Sequence, residues 1–436
     1  MKRTRILLFA GLCAILVAGV VLGVHLLSRE AKPNPGDEKD VASVKPDASV
    51  KPDAGVKPDA RPDAEARPKT PLDEVLRAVE AEPDGLELHV AAAVAQASVG
   101  QREQAARLLQ EAGKLVVGSS KRKARALGLM VCGLLEAGLA ERAASRLQQI
   151  EKIVDMLYSN EKEHETYNAI AGECINMGVR PEAVRPFIDR LMETARKQRG
   201  VSDWVSSTPR QIHLDVAGHL ATLRDARSLT ALVRRMRLGP RDADLRARIA
   251  EHLWHAGNRE RARQLLDASR ISRGAEGDVL ARVARVLALV GREKRARELL
   301  DRAVTELRRQ SGSASELRKQ VAVAFARLGE LEMARVIVAN APQHRHRFIE
   351  VLVEVDRLDE ALKLVLQTPP DKLTYWSGYL RPLILTLALK LARAGRADQA
   401  YAAARKLPEQ RQAAKVLAAA VTATHRWAMQ HAEEDR

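Results

Sequence analysis

The chain has 436 residues, with 72 Lys and Arg against 56 Asp and Glu and a formal net charge of +16. Aromatic residues make up only 3% of it, which disfavours sugar-binding clefts and single-strand nucleic-acid grooves, both built on aromatic stacking. Its three cysteines include no Cys-x-x-Cys pair, so neither a zinc ribbon nor a thioredoxin-type redox motif is supported.

The N-terminus reads as an anchor. Residues 1–5 form a basic tip with Lys2, Arg3 and Arg5, and Ile6 to Leu27 is an apolar run interrupted only by glycines and His25. At about 1.5 Å per residue, such a helix is long enough to cross a hydrocarbon core of roughly 30 Å. No small-x-small exit follows around Val24 to Ala31, and Leu12 is too large to precede a lipidated Cys13, so an uncleaved signal anchor is expected. The basic tip places the N-terminus in the cytoplasm under the positive-inside rule. The body is then periplasmic or otherwise extracytoplasmic, on a single-pass protein of a bacterial inner membrane. In that placement nucleic acid is not an expected partner; a cytosolic body would restore it.

Residues 28–70 follow as a linker. Lys45-Pro46-Asp47-Ala48, Lys51-Pro52-Asp53-Ala54 and Lys57-Pro58-Asp59-Ala60 repeat, and Arg61-Pro62-Asp63-Ala64 closes the series. Proline at this density forbids regular helix, and alternating charge with almost no large apolar residue leaves nothing to bury. The stretch is a disordered spacer, nearly balanced in charge, so the basic excess belongs mostly to the body that follows. That excess suits acidic protein surfaces or anionic head groups, or it is solubility charge on exposed helix faces.

From residue 71 to 410 a repeat sets the architecture. A turn residue is followed five positions later by alanine in Gly100/Ala105, Gly138/Ala143, Gly178/Ala183, Gly257/Ala262, Gly291/Ala296, Gly329/Ala334, Asp356/Ala361 and Gly395/Ala400. Seven positions before each turn stands a small residue (Ile349 is the larger exception). Four before it stands an apolar one (Gln96 excepted). Around Gly257, residues Ile249, Ala250 and Leu253 share one helical face, and Ala262, Leu265 and Leu266 share the next, the spacing of amphipathic helices. Glycine at the turn fits the left-handed residue that ends a helix, and alanine leaves room for two helices to cross closely. Between Gly178 and Gly257 the interval is long enough to hide one degenerate hairpin, expected near Arg210–Leu223 and Ala226–Leu238. Residues 411–436 read as a C-terminal capping helix and tail. Cys132 and Cys174 fit either as small apolar core residues or as a disulfide between adjacent hairpins.

This pattern resembles the tetratricopeptide-repeat family in Gly-x4-Ala, in the small residue seven earlier and in Leu109, Leu147, Leu266 and Leu300 nine later. Pro83-Asp84 resembles the family's opening dipeptide. The repeats depart from the family's regular period of about 34 residues, and leucine mostly replaces its aromatics. The resemblance implies an all-α, right-handed alpha-solenoid of about nine helix-turn-helix hairpins whose first helices line a concave groove. Carried over by offset from each turn, the groove residues are Trp254, His255, Arg285, Lys319, Arg327 and Arg393, with Glu251, Glu350, Glu354 and Leu389 among them. The family's clamp for a C-terminal carboxylate is not matched, because Val323 stands in the companion place to Lys319.

No reaction centre stands out, and neither a metal nor a cofactor is expected. His252 and His255 have metal-ligand spacing but no third ligand. His164-Glu165 begins like a zinc-protease motif, yet Asn168 occupies the place of the second histidine. Gln343 to Arg347, at the start of a short helix, reads as a solvated turn or else a pH-sensitive basic knob. The expectation is therefore a non-enzymatic, membrane-tethered scaffold that binds an acidic or extended protein segment in its groove. The alternative is a basic solenoid docking on anionic envelope polymer or lipid head groups.

Overall fold

The computed structural model describes residues 70–156, 160–197, 207–236, 238–239, 242–272, 274–310, 315–339, 344–369 and 377–434. The predicted basic tip, the anchor Ile6–Leu27 and the linker up to residue 69 lie outside the described residues. Among the described residues no helix is long and apolar enough to cross a membrane, and no strand occurs.

The body is built of helices alone: α1 (Pro71–Ala81), α2 (Leu86–Ser98), α3 (Arg102–Lys114), α4 (Ser120–Glu136), α5 (Ala140–Asp155), α6 (Asn160–Asn176), α7 (Pro181–Lys197), α8 (Ser207–Thr222), α9 (Ala226–Arg235) and α10 (Ala243–His255). They continue as α11 (Arg259–Asp267), α12 (Gly277–Leu289), α13 (Glu293–Arg309), α14 (Ser315–Arg327), α15 (Leu331–Ala339), α16 (His344–Glu354), α17 (Leu358–Leu366), α18 (Ser377–Arg393), α19 (Ala397–Arg405) and α20 (Gln410–Glu434). The first is started by a capping box in which Thr70 and Asp73 satisfy each other's backbone N–H, with Pro71 at the first helical position.

Every even-to-odd turn from α2 to α19 is the same device. The turn residue has positive φ in Gly100, Gly138, Gly178, Gly257, Gly291, Gly329 and Gly395, and also in Asp356 (φ 60) and Arg224 (φ 56). The next residue donates its N–H to the carbonyl four before the turn, as in Asn258 to Leu253 (2.9 Å) and Asp225 to Leu220 (2.9 Å). This six-to-one bond around a left-handed residue is the Schellman helix end. It explains why glycine recurs and why the residue four before it is fixed in place.

Arg224 supplies the turn of the hairpin hidden in the long interval, whose helices are α8 and α9. Ala217 and Leu220 keep the two upstream columns, but Leu229 replaces the alanine and is fully buried. With both the glycine and the alanine replaced, the Gly-x4-Ala signature was lost while the backbone device survived.

The even helices α2 to α20 form an inner layer, each packed on the next, and the odd helices α3 to α19 lie outside them. The array does not remain open. Its last helix, α20, packs on α18 and α19 and also on α1 and α2, so the two ends meet and the inner layer closes into a ring. One apolar cluster joins them, with Val75, Ala78, Leu88, Ala92 and Ala95 from the N-terminal helices against Leu417, Ala418, Ala420 and Val421. Among the described residues, every ion pair between the N-terminal α1–α2 region and the C-terminal helices places the acid on the N-terminal side. Glu74 takes Arg405 through two bonds (3.0 and 2.5 Å), Glu82 faces Arg411 at 3.5 Å, and Glu87 pairs with Lys415. Gln96, the polar exception in its column, is buried in α2, the helix that receives α20, with its Oε1 unpaired. The segment expected to cap the array instead closes it.

Neighbouring inner helices approach closely where one supplies a glycine. A Cβ on Gly128 of α4 would lie 2.6 Å from Ile170 of α6. Cys132 and Cys174, on the same two helices, form a disulfide, which resolves the alternative left by the sequence.

Candidate functional site: the inner face of the ring

Counting back from each turn, positions 2, 6, 9 and 13 recur on one face of each inner helix, the heptad-like stripe of an amphipathic helix. The two middle positions of this stripe are Ala91 and Val94 on α2 and Ala169 and Gly172 on α6; from α8 to α16 they are Asp215, Arg248, Glu251, Arg282, Arg285, Gln320, Arg347 and Glu350, with Gly218 and Val323 the exceptions. The change of character places any polar site on that half of the ring.

The first part of the site is an ion network. Glu251 of α10 pairs with Arg285 of α12 and with Arg327 of α14 (3.1 Å). Arg285 reaches on to Glu354 of α16 at 3.0 Å. Lys319 binds Glu350 (2.5 Å) and Glu354 (3.0 Å), and Arg347 binds Glu350 at 3.0 Å. Burial alone would raise the Glu251 carboxyl, but the guanidiniums of Arg285 and Arg327 outweigh it and hold it below the usual carboxylate range. Burial likewise acts to lower Lys319, and Glu354 and Glu350 together reverse the direction and raise it.

The second part is a polar ladder between α6, α8 and α10. Asp215 of α8 accepts from Gln211 (2.7 Å) and Asn168 (3.2 Å) and lies 2.9 Å from Nε2 of His164. Asn168 turns its oxygen to Nε2 of His219 at 2.7 Å. Because the Asn168 amide nitrogen already donates to Asp215, its oxygen must accept, so Nε2 of His219 carries the proton. A Cβ on Gly172 would stand 3.7 Å from His219, and one on Gly218 would stand 3.5 Å from His252. Those two glycines occupy the same repeat position, as do the two histidines, so one packing device is used twice. Burial lowers both imidazoles, His252 to about 4, so both are neutral at pH 7.

These helices enclose a pocket of about 450 Å³ lined by Asn168, Asp215, His219, Arg248, His252 and Arg282, among others. A second pocket of about 920 Å³, lined by Leu245, Ile271 and Val279, shares Gln211, Leu214 and Arg248 with the first. Among the described residues, neither Arg248 nor His252 has a hydrogen-bond or ion-pair partner. No group of three or more His, Cys, Asp or Glu among them is placed to hold a metal ion.

The six groove residues expected from the sequence separate. Arg285, Lys319 and Arg327 come together, each neutralised by the glutamates of the network. His255 stands exposed one turn beyond Glu251. Trp254 packs against the apolar core with Arg259 and Arg263 of α11 over its ring at 5.2 and 5.5 Å, so it faces the outer layer. Arg393 ends α18, lowered first by desolvation and then by the like charges of Arg224 and Arg426. Arg248, Asp215 and His219 were missed. Position 9 before the turn, one helical turn from position 6, was the signal that identifies Asp215, Arg248 and Arg282 together.

No family model matches the chain, and no curated protein matches it. Among solved structures it is similar to a circular tandem repeat protein with novel repeat topology and enhanced subunit contact surfaces. That match has 15% identity and a TM-score of 0.25, covering 84% of this chain and 91% of that one. It is also similar to an IFIT1 monomeric mutant with Gppp-AAAA, at 16% identity and a TM-score of 0.25, covering 77% of this chain and 73% of that one. At these values neither assigns a function to this chain. The helical-repeat architecture rests on its own turns and packing.

Proposed function

We propose that the chain is a non-enzymatic helical-repeat scaffold that holds a segment of a protein partner against the inner face of its ring. In this reading Ile6–Leu27 tethers it to a bacterial inner membrane and the linker carries the body outside the cytoplasm. One observation carries the binding part: two contiguous pockets, of about 450 and 920 Å³, are walled by successive inner helices and offer charge, hydrogen-bonding groups and apolar surface together. The Cys132–Cys174 disulfide supports the extracytoplasmic placement, because structural disulfides persist mainly in oxidising compartments.

The pairing of Arg285, Lys319 and Arg327 sharpens what the partner must be. A broad acidic surface would have to displace Glu251, Glu350 and Glu354 to reach them. A segment that engages single unpaired groups between the helices meets no such competition.

The alternative, docking on an anionic polymer or lipid surface, is favoured by one feature of the outer layer. Helix α9 carries Arg227, Arg234 and Arg235 and no acidic residue. A photo-crosslinking side chain at Gln211, on the inner face, and another at Gln104, on α3 outside, separate the readings in intact cells. The scaffold predicts a discrete protein adduct from position 211 and none from 104. Absence of any adduct at 211, with salt-sensitive binding to anionic vesicles that is lost when Arg227, Arg234 and Arg235 are neutralised, would overturn it.

A further inference from the structure

Four arginines line the two pockets, and one of them, Arg270, is exposed at the edge of the larger. Arg282 pairs with Asp244, and Arg285 with Glu251 and Glu354. Arg248 is different. It lies on the wall shared by both pockets and, among the described residues, makes no hydrogen bond or ion pair. Its half-buried position makes an unpaired guanidinium costly, since a charged donor drawn partly out of water is stabilised only by an anion or by several acceptors.

The carboxylates around it are committed elsewhere. Asp215 serves three donors, and Glu316 accepts from Gln320. Asp242 takes the Gly239 N–H at the rim, leaving Glu276 as an exposed acid at the outer edge of the larger pocket. On the inner side His252, one turn along the same face of α10, is also unpaired. On the outer side the larger pocket has apolar walls in Leu214, Leu245, Ile271 and Val279. A free cation, a free imidazole and an apolar recess thus follow one another along a continuous path from rim to inner face.

We propose that Arg248 receives an acidic side chain of an extended protein segment, whose neighbouring apolar side chain enters the recess formed by Leu245, Ile271 and Val279. The inference rests on the scaffold reading above and names what that scaffold recognises: an apolar residue beside an Asp or Glu, in extended conformation. Alternating side chains of an extended segment point to opposite sides, which lets one residue fill the recess while its neighbour meets the guanidinium. Recognition by Arg248 also explains how an inner face on which Arg282, Arg285, Lys319 and Arg327 are internally paired can still select an acidic ligand.

The test uses the full-length chain in detergent, panned against a displayed library of random linear peptides. Four forms are compared: wild type, Arg248→Gln, Arg248→Lys, and Arg107→Gln on the outer helix α3. Wild type and Arg107→Gln should enrich Asp or Glu next to Leu, Ile, Val or Phe. Arg248→Gln should lose the acidic preference by about tenfold or more, the worth of a charge-assisted hydrogen bond, and Arg248→Lys should keep part of it. Since Arg248 has no internal partner, Arg248→Gln should melt with the wild type, which separates lost recognition from lost fold. Enriched peptides without an acidic preference, or one unchanged in Arg248→Gln, would overturn the assignment and leave the scaffold reading standing. Failure of every form to enrich any peptide would overturn both.

Discussion

Glu251 and Arg327 are 76 residues apart in sequence, and their side chains meet at 3.1 Å across the inner face. They stand on α10 and α14, with α12 between them contributing Arg285 to the same carboxylate. The contact forms because the inner helices curve round until every second one can be spanned by a long side chain. It also turns what sequence register marks as a cationic groove into a paired network.

That pairing has a measurable cost of removal. The side chains of Glu251, Arg285 and Arg327 are only 14%, 11% and 7% exposed, so Glu251→Gln leaves Arg327 buried without its counter-charge and Arg285 with Glu354 alone. Urea unfolding should show a loss of about 3–5 kcal/mol, and Arg327→Met alongside it should recover part. With the folded pKa of Glu251 lowered, its contribution is present above the ordinary 4.5 and fades as pH falls through the lower folded value. The acid limb of the stability profile should therefore be shallower in Glu251→Gln.

His252 gives a separate window. Its folded pKa lies near 4 against an ordinary 6.5, so the unfolded chain takes up a proton that the folded one refuses. The contribution of His252 is complete above pH 6.5 and is lost as pH falls from there to about 4. His252→Gln should flatten the thermal-stability profile in that interval while changing little at pH 8.

The turns test the backbone account. A Cβ on Gly257 meets nothing within 4 Å, so Gly257→Ala isolates the left-handed penalty, about 1 kcal/mol. Gly395→Ala should cost clearly more, because the new methyl would lie 2.5 Å from Trp427 of α20. Arg224→Gly should stabilise by about 1 kcal/mol, read as a rise in melting temperature.

The disulfide can be counted directly. The sequence has three cysteines, and denatured, unreduced protein should show one reactive thiol, rising to three with reductant. Removing the bond as Cys132→Ala with Cys174→Ala should destabilise by about 4 kcal/mol, from the entropy of a loop with separation 42. Three reactive thiols without reductant would remove the structural support for the extracytoplasmic placement.

Much of the fold was legible because the Schellman turn imposes local residue choices. Eight turns and the helices beside them follow from a glycine or Asp356 and an alanine at fixed distance. The ninth stayed faint because Arg224 and Leu229 satisfy the same geometry with untypical side chains. Ring closure was not legible: it depends on Glu74, Glu82 and Glu87 meeting Arg405, Arg411 and Lys415 from the far end of the chain, and no local pattern encodes that. The site was half legible. Register placed Arg285, Lys319 and Arg327 on the inner face, but whether a cation is free or paired depends on the next helices, so Arg248 could be distinguished only in three dimensions.

The inner helices form a closed wall only if α20 meets α1 and α2. Spin labels at Glu82 and Arg411, which face each other at 3.5 Å, give that distance directly by dipolar spectroscopy of the full-length chain. Closure predicts one narrow, short distance of roughly 20 Å or less once label arms are included, given that about 10 Å separates packed helices. A broad or much longer distribution would mean that the ends stand apart, and would contradict the ring.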